Sequence, residues 1–455
     1  MKKTLYLTIA MAILPAAFAT AQDAAADTVA APVVLTLDQA ISTALSENAS
    51  VRVADMEIEK TGYARKGTYS SLFPQVSGTG SYQRTIKKQV MYMDFAGAAG
   101  ADGFEVGRWN TWSAGVSASM PLVNAQLWQS LHISDSDVEL AVEKARGSRL
   151  ETVTQVKQAF FSCLLAKEVF EVYKSVYENA VANLDFTQKK FNAQRASELD
   201  LTRAKTNVAN AIPNVYDAEN SVMLGLWQLK AVMGVDLDMD IDVAGSLEDY
   251  AGHMFYDIHS NDEPDLDRNT TLRQLAIQAE ELARAVKVQQ AANLPTLAAS
   301  INYSVNAMTN DFVFSEYKWS PYSYVGLSLS IPIFAGGKRS SSIKQARVQA
   351  AELDVQRENT ERQLRISIRQ NLNTMETAMK SYTSAQSAME SAQKAYDIAS
   401  KSYNVGRSTF TDLDNAQLAL TQSKLSVCQA VYSFLNAKSS LEQTLGIDYD
   451  ESQHE

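Results

Sequence analysis

The sequence predicts a mixed α and β membrane protein built as a tandem duplication, with each copy running helix, strand pair, very long helix, turn and returning helix. Three observations predict it: matched segments at a near-constant offset, a seven-residue ladder of apolar residues, and short strands with one apolar and one polar face. At 455 residues the chain has room for two to three ordinary domains or for one elongated molecule.

The duplication is read from paired segments. ENASVRVADMEIEKTGYARKGTYSSLFPQV from Glu47 matches RNTTLRQLAIQAEELARAVKVQQAANLPTL from Arg268, with 221 residues between Asn48 and Asn269 and between Pro74 and Pro295. GVSASMPLV from Gly115 matches GLSLSIPIF from Gly326 at an offset of 211, and Phe191 matches Tyr403, as Gly234 matches Gly446, at 212. The predicted organisation is a signal peptide over 1–21, an N-terminal extension over 22–34, a first copy over 35–234, an inter-copy segment over 235–268 whose acidic character suggests an exposed element belting the helical barrel, a second copy over 269–446 and a tail over 447–455.

At the N-terminus, Lys2 and Lys3 precede the apolar run TLYLTIAMAILPAAFA, which closes on the small residues Ala19, Thr20 and Ala21. This is the pattern of a cleaved export signal, with a mature chain expected from near Gln22. No cysteine follows the run, so no lipid-modified N-terminus is expected. No later stretch reaches the ~18 to 20 apolar residues of a membrane-spanning helix, which leaves an exported chain either soluble or crossing a membrane as strands. With 52 acidic against 41 basic residues the formal charge is −11. Phosphate binding is driven by Lys and Arg, so nucleic acid is excluded as the main partner.

The very long helices are predicted over about 125–190 and 338–402. In the second, Ile368, Met375, Tyr382, Met389, Tyr396 and Tyr403 recur every seventh residue, with Ala378, Ala385, Ala392 and Ala399 three residues after a rung. Large and small residues along one seam let a neighbouring helix pack knobs into holes. Val156, Cys163, Phe170, Tyr177, Leu184 and Phe191 repeat the ladder in the first copy, which places Cys163 on a core rung. The first helix would span roughly 100 Å at 1.5 Å per residue, longer than a globular domain needs.

The strand pairs are predicted at about 75–123 and 296–334. SINYSVNA alternates Ile301, Tyr303 and Val305 with Asn302, Ser304 and Asn306; YVGLSLSIPIF alternates Val325, Leu327, Leu329 and Ile331 with Gly326, Ser328 and Ser330. WSAGVSASM does so through Ala114, Val116, Ala118 and Met120. This is the pattern of a membrane barrel with a wet interior. Four strands cannot close, so the membrane reading predicts an oligomer, most simply a trimer with a twelve-stranded barrel. The polar hairpin loops, from Arg84 and from Met308, would face outside.

Between long and returning helices, Gly406 suits a left-handed helix end, and Thr409 with Asp412 has the form of a capping box, repeated by Ser197 with Asp200. Gln194 stands where the first copy lacks the turn glycine, so the two tips are expected to turn differently. In a trimer, two aspartates per chain would become six carboxylates around one narrow end, an arrangement that favours cations. Pro213 is expected to kink or break the first returning helix.

Other chemistry is absent from the pattern. His132, His253, His259 and His454 lack metal-ligand spacing. AGGKRS is no phosphate loop, because Pro332 replaces the first glycine and Arg339 the hydroxyl residue after the lysine. No nucleophile and base come together, so neither catalysis nor a cofactor is expected. Cys163 and Cys428 stand at helix heights that differ by roughly 13 Å at 1.5 Å per residue, which predicts two free thiols.

With these motifs in hand, the chain resembles the TolC-type outer-membrane efflux protein family over nearly all of its mature length. The resemblance is carried by the duplication, by MPLVNAQ and IPIFAGGKRSSSIKQARVQAAELDVQ at strand-to-helix junctions, by LKAVMGVD and SSLEQTLGID closing the copies, and by YNVGRSTFTDLDNA at the turn. It implies a homotrimeric tunnel in outer-membrane lipid, whose twelve-stranded barrel continues into a long antiparallel α-helical barrel in the periplasm. Its implied partners are a periplasmic adaptor (membrane fusion) protein and an inner-membrane pump of RND, ABC or MFS type, with the duct itself passive.

By the same resemblance, Asp200, Tyr403 and Asp412 match positions of the periplasmic gate. The family's gate arginine falls at Ser408, beside Arg407, and a second ring aspartate falls at Asn415, beside Asp414. Ala193, Gln194 and Arg195, with Val405, Gly406, Arg407, Ser408 and Thr409, fall in the tip segments that would meet the adaptor. Two rival readings remain: a duct for secreted proteins of the type I kind, and an exported soluble coiled-coil scaffold or adhesin.

Overall fold

The computed structural model describes residues 33–92, 103–255 and 265–449. The predicted signal peptide, nearly all of the N-terminal extension, the centre of the first hairpin loop, part of the inter-copy segment and the end of the tail lie outside the described residues, as do His259 and His454.

The described chain runs β1 (Val33–Leu35), α1 (Leu37–Glu47), α2 (Ala49–Ser70), β2 (Gln75–Arg84), β3 (Gln89–Met91), β4 (Phe104–Val106), β5 (Asn110–Val123), α3 (Ala125–Asn192) and α4 (Glu198–Met233). It continues through β6 (Ile241–Val243), α5 (Leu247–Ala251), α6 (Thr270–Ala291), β7 (Thr296–Thr309), β8 (Ser320–Ser330), α7 (Lys338–Asn404) and α8 (Phe410–Leu445). The 68 residues of α3 and 67 of α7 make rods of roughly 100 Å each.

Each long rod is flanked by shorter helices stacked end to end. Along its first half α3 packs on α2 and α6, and along its second half on α4 and α8, while α7 packs on α6 and then α8. At the first stacking junction Asn48 caps α2 by accepting from the Ser50 N–H at 2.7 Å, and its Nδ2 donates to the Val232 carbonyl of α4 at 2.6 Å. The second junction repeats this: Asn269 accepts from the Leu272 N–H at 2.9 Å and donates to the Thr444 carbonyl of α8 at 2.6 Å. The chain leaves α4 and α8 through Gly234 (φ 77°) and Gly446 (φ 70°), the left-handed end that glycine tolerates. A Cβ at Gly446 would lie 2.1 Å from the Arg268 carbonyl oxygen, so the close stacking also needs the missing side chain.

The ladder buries unevenly. Val156, Cys163, Ile368 and Met375 are at most 2% exposed, whereas the intermediate rungs are half-buried and Phe191 is 37% exposed. In the first pair the small partners come from α4, where Ala204, Ala211 and Ala218 are buried and Gly225 faces the Cys163 sulfur. Cys163 and Cys428 are free, as expected from their heights; burial pushes the Cys163 thiol up to about 12.

Around the junction level β1 pairs in parallel with β6, and Ile241, Val243, Leu247, Ala251 and Met254 enter the main core with Ile41, Phe160, Leu229 and Phe434. The expectation of an exposed segment holds for its first part, where Leu237 and Met239 are exposed with their acidic neighbours, and is corrected from Ile241 on, where Ile241 and Val243 beside Asp240 and Asp242 are buried. Lys167 fixes the segment by donating to Asp242 at 2.9 Å and to the Val243 carbonyl at 3.1 Å. Pro213 does not break α4, which is continuous from Glu198 to Met233. The Ala209 carbonyl, four residues before the proline, loses its helical donor but lies on an exposed residue, open to other partners.

The main sheet is antiparallel in the order β2-β5-β7-β8. Its register keeps the two faces apart except at β8, whose Tyr322 and Tyr324 lie on the polar face: Ser77, Ser117, Asn302 and Tyr324 share one row, and Val76, Ala118, Ile301 and Val325 the next. Hydroxyls on the polar face bond across strands, Ser77 to Ser117 at 2.9 Å and Ser81 to Ser113 at 2.6 Å. The first hairpin loop adds the two-stranded β3-β4 ribbon, which the alternation did not announce.

Asn269→Ala is expected to cost about 1–3 kcal/mol by unpairing the Thr444 carbonyl and uncapping α6, and Gly446→Ala at least about 1–2 kcal/mol for its left-handed backbone. Thermal unfolding followed by circular dichroism should show lowered midpoints for both, and an unchanged Asn269→Ala midpoint would remove the junction's role.

Candidate functional site

The end of the helical layer farthest from the sheet consists of two tight turns, α3 to α4 and α7 to α8. Both close the same way. In the second, the Gly406 N–H donates to the Tyr403 carbonyl at 3.0 Å and the Arg407 N–H to the Ser402 carbonyl at 2.8 Å; in the first, Gln194 donates to Phe191 at 2.9 Å and Arg195 to Lys190 at 2.8 Å. The expectation that the tips differ is therefore corrected. Gln194 adopts φ 58°, the only positive φ on a non-glycine among the described residues, against 76° at Gly406. The paired 6→1 and 5→2 bonds of this helix end impose the left-handed residue whatever its side chain.

Each turn leads into a capping box. Ser197 accepts from the Asp200 N–H at 3.0 Å and donates its hydroxyl to Asp200 Oδ2 at 2.8 Å; Thr409 accepts from the Asp412 N–H at 3.2 Å and donates to Asp412 Oδ2 at 2.6 Å through its hydroxyl and 2.9 Å through its N–H. The two donors of Thr409 hold the Asp412 carboxyl below the ordinary aspartate range, so it stays ionised. In both boxes a single carboxylate oxygen makes the cap.

Tyr403 is buried at the seam of α7, α8 and α3. Its hydroxyl meets the Thr187 hydroxyl at 2.8 Å, and its ring stands 6.2 Å from that of Phe186 and 5.8 Å from that of Phe410. Lys190 completes the contact: its ammonium donates to the Tyr403 carbonyl at 2.6 Å and lies 4.4 Å from the Tyr403 ring centre and 4.5 Å from that of Phe186. Burial lowers the Lys190 pKa, and the field of Asp200 acts against it. On the other side of α3, Asn207 donates to Asp414 at 2.5 Å and Arg203 to the Thr411 hydroxyl at 3.1 Å, tying the start of α4 to the start of α8.

The sequence-derived residues thus divide. Tyr403 and Asp414 make inter-helix contacts, Asp200 and Asp412 cap their own helices, and Arg407 and Asn415 stand exposed without side-chain partners among the described residues. Ala193, Gln194, Arg195, Val405 and Gly406 are exposed at the turns, while Ser408 bonds back to the Ala399 carbonyl at 3.4 Å. Sequence reasoning missed Lys190, Thr187, Arg203 and Asn207. Only Lys190 carried a signal, as a cation in the last turn of a long helix.

Farther up, α7 and α8 bound a groove of about 710 Å³ lined by Thr374, Thr377, Ser381, Gln422, Ser426 and Gln429, hydroxyls and amides without charge. Such a wall accepts water and solutes without binding either tightly.

Gln194→Gly is expected to relieve up to about 1 kcal/mol of left-handed strain at the first tip. Hydrogen exchange should slow at 193–197; unaltered exchange would show that the turn carries no such strain.

Comparison with known proteins bears on all of this. The family model described as outer membrane efflux protein matches residues 40–235 and 265–447. Outer membrane protein TolC of Escherichia coli (strain K12) is 22% identical over 346 residues, covering 74% of this chain and 70% of that protein. Alkaline protease secretion protein AprF of Pseudomonas aeruginosa is 23% identical over 347 residues, covering 73% and 69%. The Campylobacter jejuni CmeC outer membrane channel shares the fold at a TM-score of 0.71 and 19% identity over 92% of this chain and 88% of that one. The open state of the Neisseria gonorrhoeae MtrE outer membrane channel does so at 0.69 and 16%, over 90% and 88%. Since the matched segments take in both copies, with their strands and both tips, this chain belongs to the outer membrane efflux protein family and is an outer-membrane protein extending into the periplasm.

Proposed function

We propose that the chain is one third of a trimeric exit duct, through which small solutes pass passively from an inner-membrane pump to the outside. The observation that carries this reading is that both layers of the protomer end in open edges. Among the described residues β2 and β8 each lack a neighbour on one side, and a strand edge left unpaired in hydrocarbon costs several kcal/mol for each polar group. Three copies give twelve strands and leave no edge.

The helical layer has the same incompleteness. α3 stands between α4 and α8, whereas α7, among the described residues, packs along its length on α6 and α8 and meets α3 at the tip. Tyr216, Met223 and Trp227 on α4 and Val348, Val355 and Ile398 on α7 are exposed apolar residues on these edge helices. In the duplication α3 corresponds to α7 and α8 to α4, so the α3–α8 interface within one chain has its counterpart in α7 against α4 of the next. The 37% exposed Phe191, the counterpart of buried Tyr403, would be covered by that neighbour.

In the assembled duct the serine and asparagine rows line the barrel and the uncharged groove of α7 and α8 lines the helical tunnel. Asp200 and Asp412 supply six carboxylates at the narrow end. Tyr403, Arg407, Asp414 and Asn415 form the gate region, and the exposed turns at 193–197 and 405–409 receive the periplasmic adaptor. The chain supplies no energy and performs no catalysis; the pump drives transport. AprF, by its name a protease secretion protein, supports a second reading in which the cargo is a protein.

Planar-bilayer conductance of the purified protein tests the duct and its ring together. Asparagine at 200 and 412 keeps an oxygen for each cap and removes the charge, so Asp200→Asn with Asp412→Asn should reduce cation selectivity severalfold while trimer migration is retained. A soluble monomer without conductance would return the chain to the scaffold reading.

A further inference from the structure

A pocket of about 330 Å³ opens between α3, α5, α7 and α8, away from the tips and level with the uncharged groove but with no lining residue in common with it. Val172, Tyr382, Met389 and Val431 give it apolar lining. Its walls carry Glu168, Glu171 and Glu248 against a single cation, Lys424. Lys424 and Glu248 form no ion pair among the described residues, whereas Glu171 is paired with Lys174 at 3.6 Å on the solvent side. Glu168 is the unusual member: burial raises its pKa, and although the Leu247 N–H opposes this, the charges of Glu248, Asp249 and Glu171 raise it further.

Such a cavity discriminates by charge. A neutral apolar molecule would cover the apolar lining, remove water from the half-buried Glu168 and leave it without a counter-ion. An anion would meet net negative walls. A molecule with an apolar body and one positive head satisfies both parts, because a charge pair gains strength where water is thin. The volume falls in the range of small-molecule sites.

We propose that this pocket binds a lipophilic cation, with its apolar body on Val172, Tyr382, Met389 and Val431 and its positive head against Glu168 and Glu248. The inference does not rest on the duct reading.

Cys428 lines the same pocket and reports on it, whereas Cys163 is 0% exposed. Burial and the neighbouring Glu168 push the Cys428 thiol up to about 11, so its modification is followed at mildly alkaline pH. The rate of reaction of the intact protein with uncharged methyl methanethiosulfonate is measured against increasing aryl-trimethylammonium and, separately, its uncharged tert-butyl isostere. The quaternary ammonium, which has no N–H and so acts through charge alone, should protect Cys428 at concentrations about tenfold lower than the isostere, as expected for a charge pair where water is thin. In Glu168→Gln with Glu248→Gln the two compounds should protect equally poorly. Equal protection of the wild type by both, or by neither, overturns the proposal; that comparison uses wild-type protein alone, so it stands even where the double variant fails to fold.

Discussion

The architecture depends on two places where one helix ends on the start of another. A helix terminus leaves carbonyls and N–H groups without intrahelical partners, and burying two termini against each other would ordinarily be costly. Asn48 and Asn269 solve this with one side chain, whose oxygen caps the starting helix and whose amide serves a carbonyl of the ending helix. Gly234 and Gly446 then turn the chain out of the way. As a result α2 with α4, and α6 with α8, behave as single rods beside α3 and α7. Arg146 reinforces the second junction, reaching the Gly446 carbonyl at 2.8 Å, the Arg268 carbonyl at 3.2 Å and Asp448 at 2.9 Å. The thickest core sits at this level, where α1, α5 and the β1-β6 pair wrap the rods.

What the sequence made legible was whatever a local period or a local box encodes. The ladder placed Cys163 and Met375 in the core, alternation placed the strand faces, and the two boxes placed Asp200 and Asp412 at their caps. What it hid depended on partners distant in the chain or on backbone alone. Gln194 takes the glycine conformation because hydrogen bonds of the helix end demand it, a demand no residue type announces. Lys190 matters through Tyr403, 213 residues away. The inter-copy segment looked exposed because its acids were counted together, when Ile241, Val243, Leu247, Ala251 and Met254 between and after them face inward. Pro213 was tolerated because its helix face is open.

The tips show how one side chain serves structure and charge at once. A carboxylate at the third helical position fixes the start of its helix through a single oxygen, and its charge remains available to the surroundings. The two copies have also diverged at equivalent rungs: Tyr403 is enclosed by its own chain, whereas Phe191 is left for whatever stands alongside. Internal duplication therefore gives near-equivalence, and in the proposed trimer this difference would fall where a chain tells its own helices from those of another copy.

The edge strand β2 has a further consequence. Its centre reads Ser77, Gly78, Thr79, Gly80 and Ser81, with little side chain to reward a passing strand. A protomer on its way to the membrane is thus a poor template for stray pairing, although its edge is open. The same weakness means that two sheets gain little from meeting by chance. In a trimer the long rods would hold β2 of one copy beside β8 of the next, raising their effective concentration before any ladder forms. The helices would then act as a jig for the sheet, making barrel closure the last event of assembly.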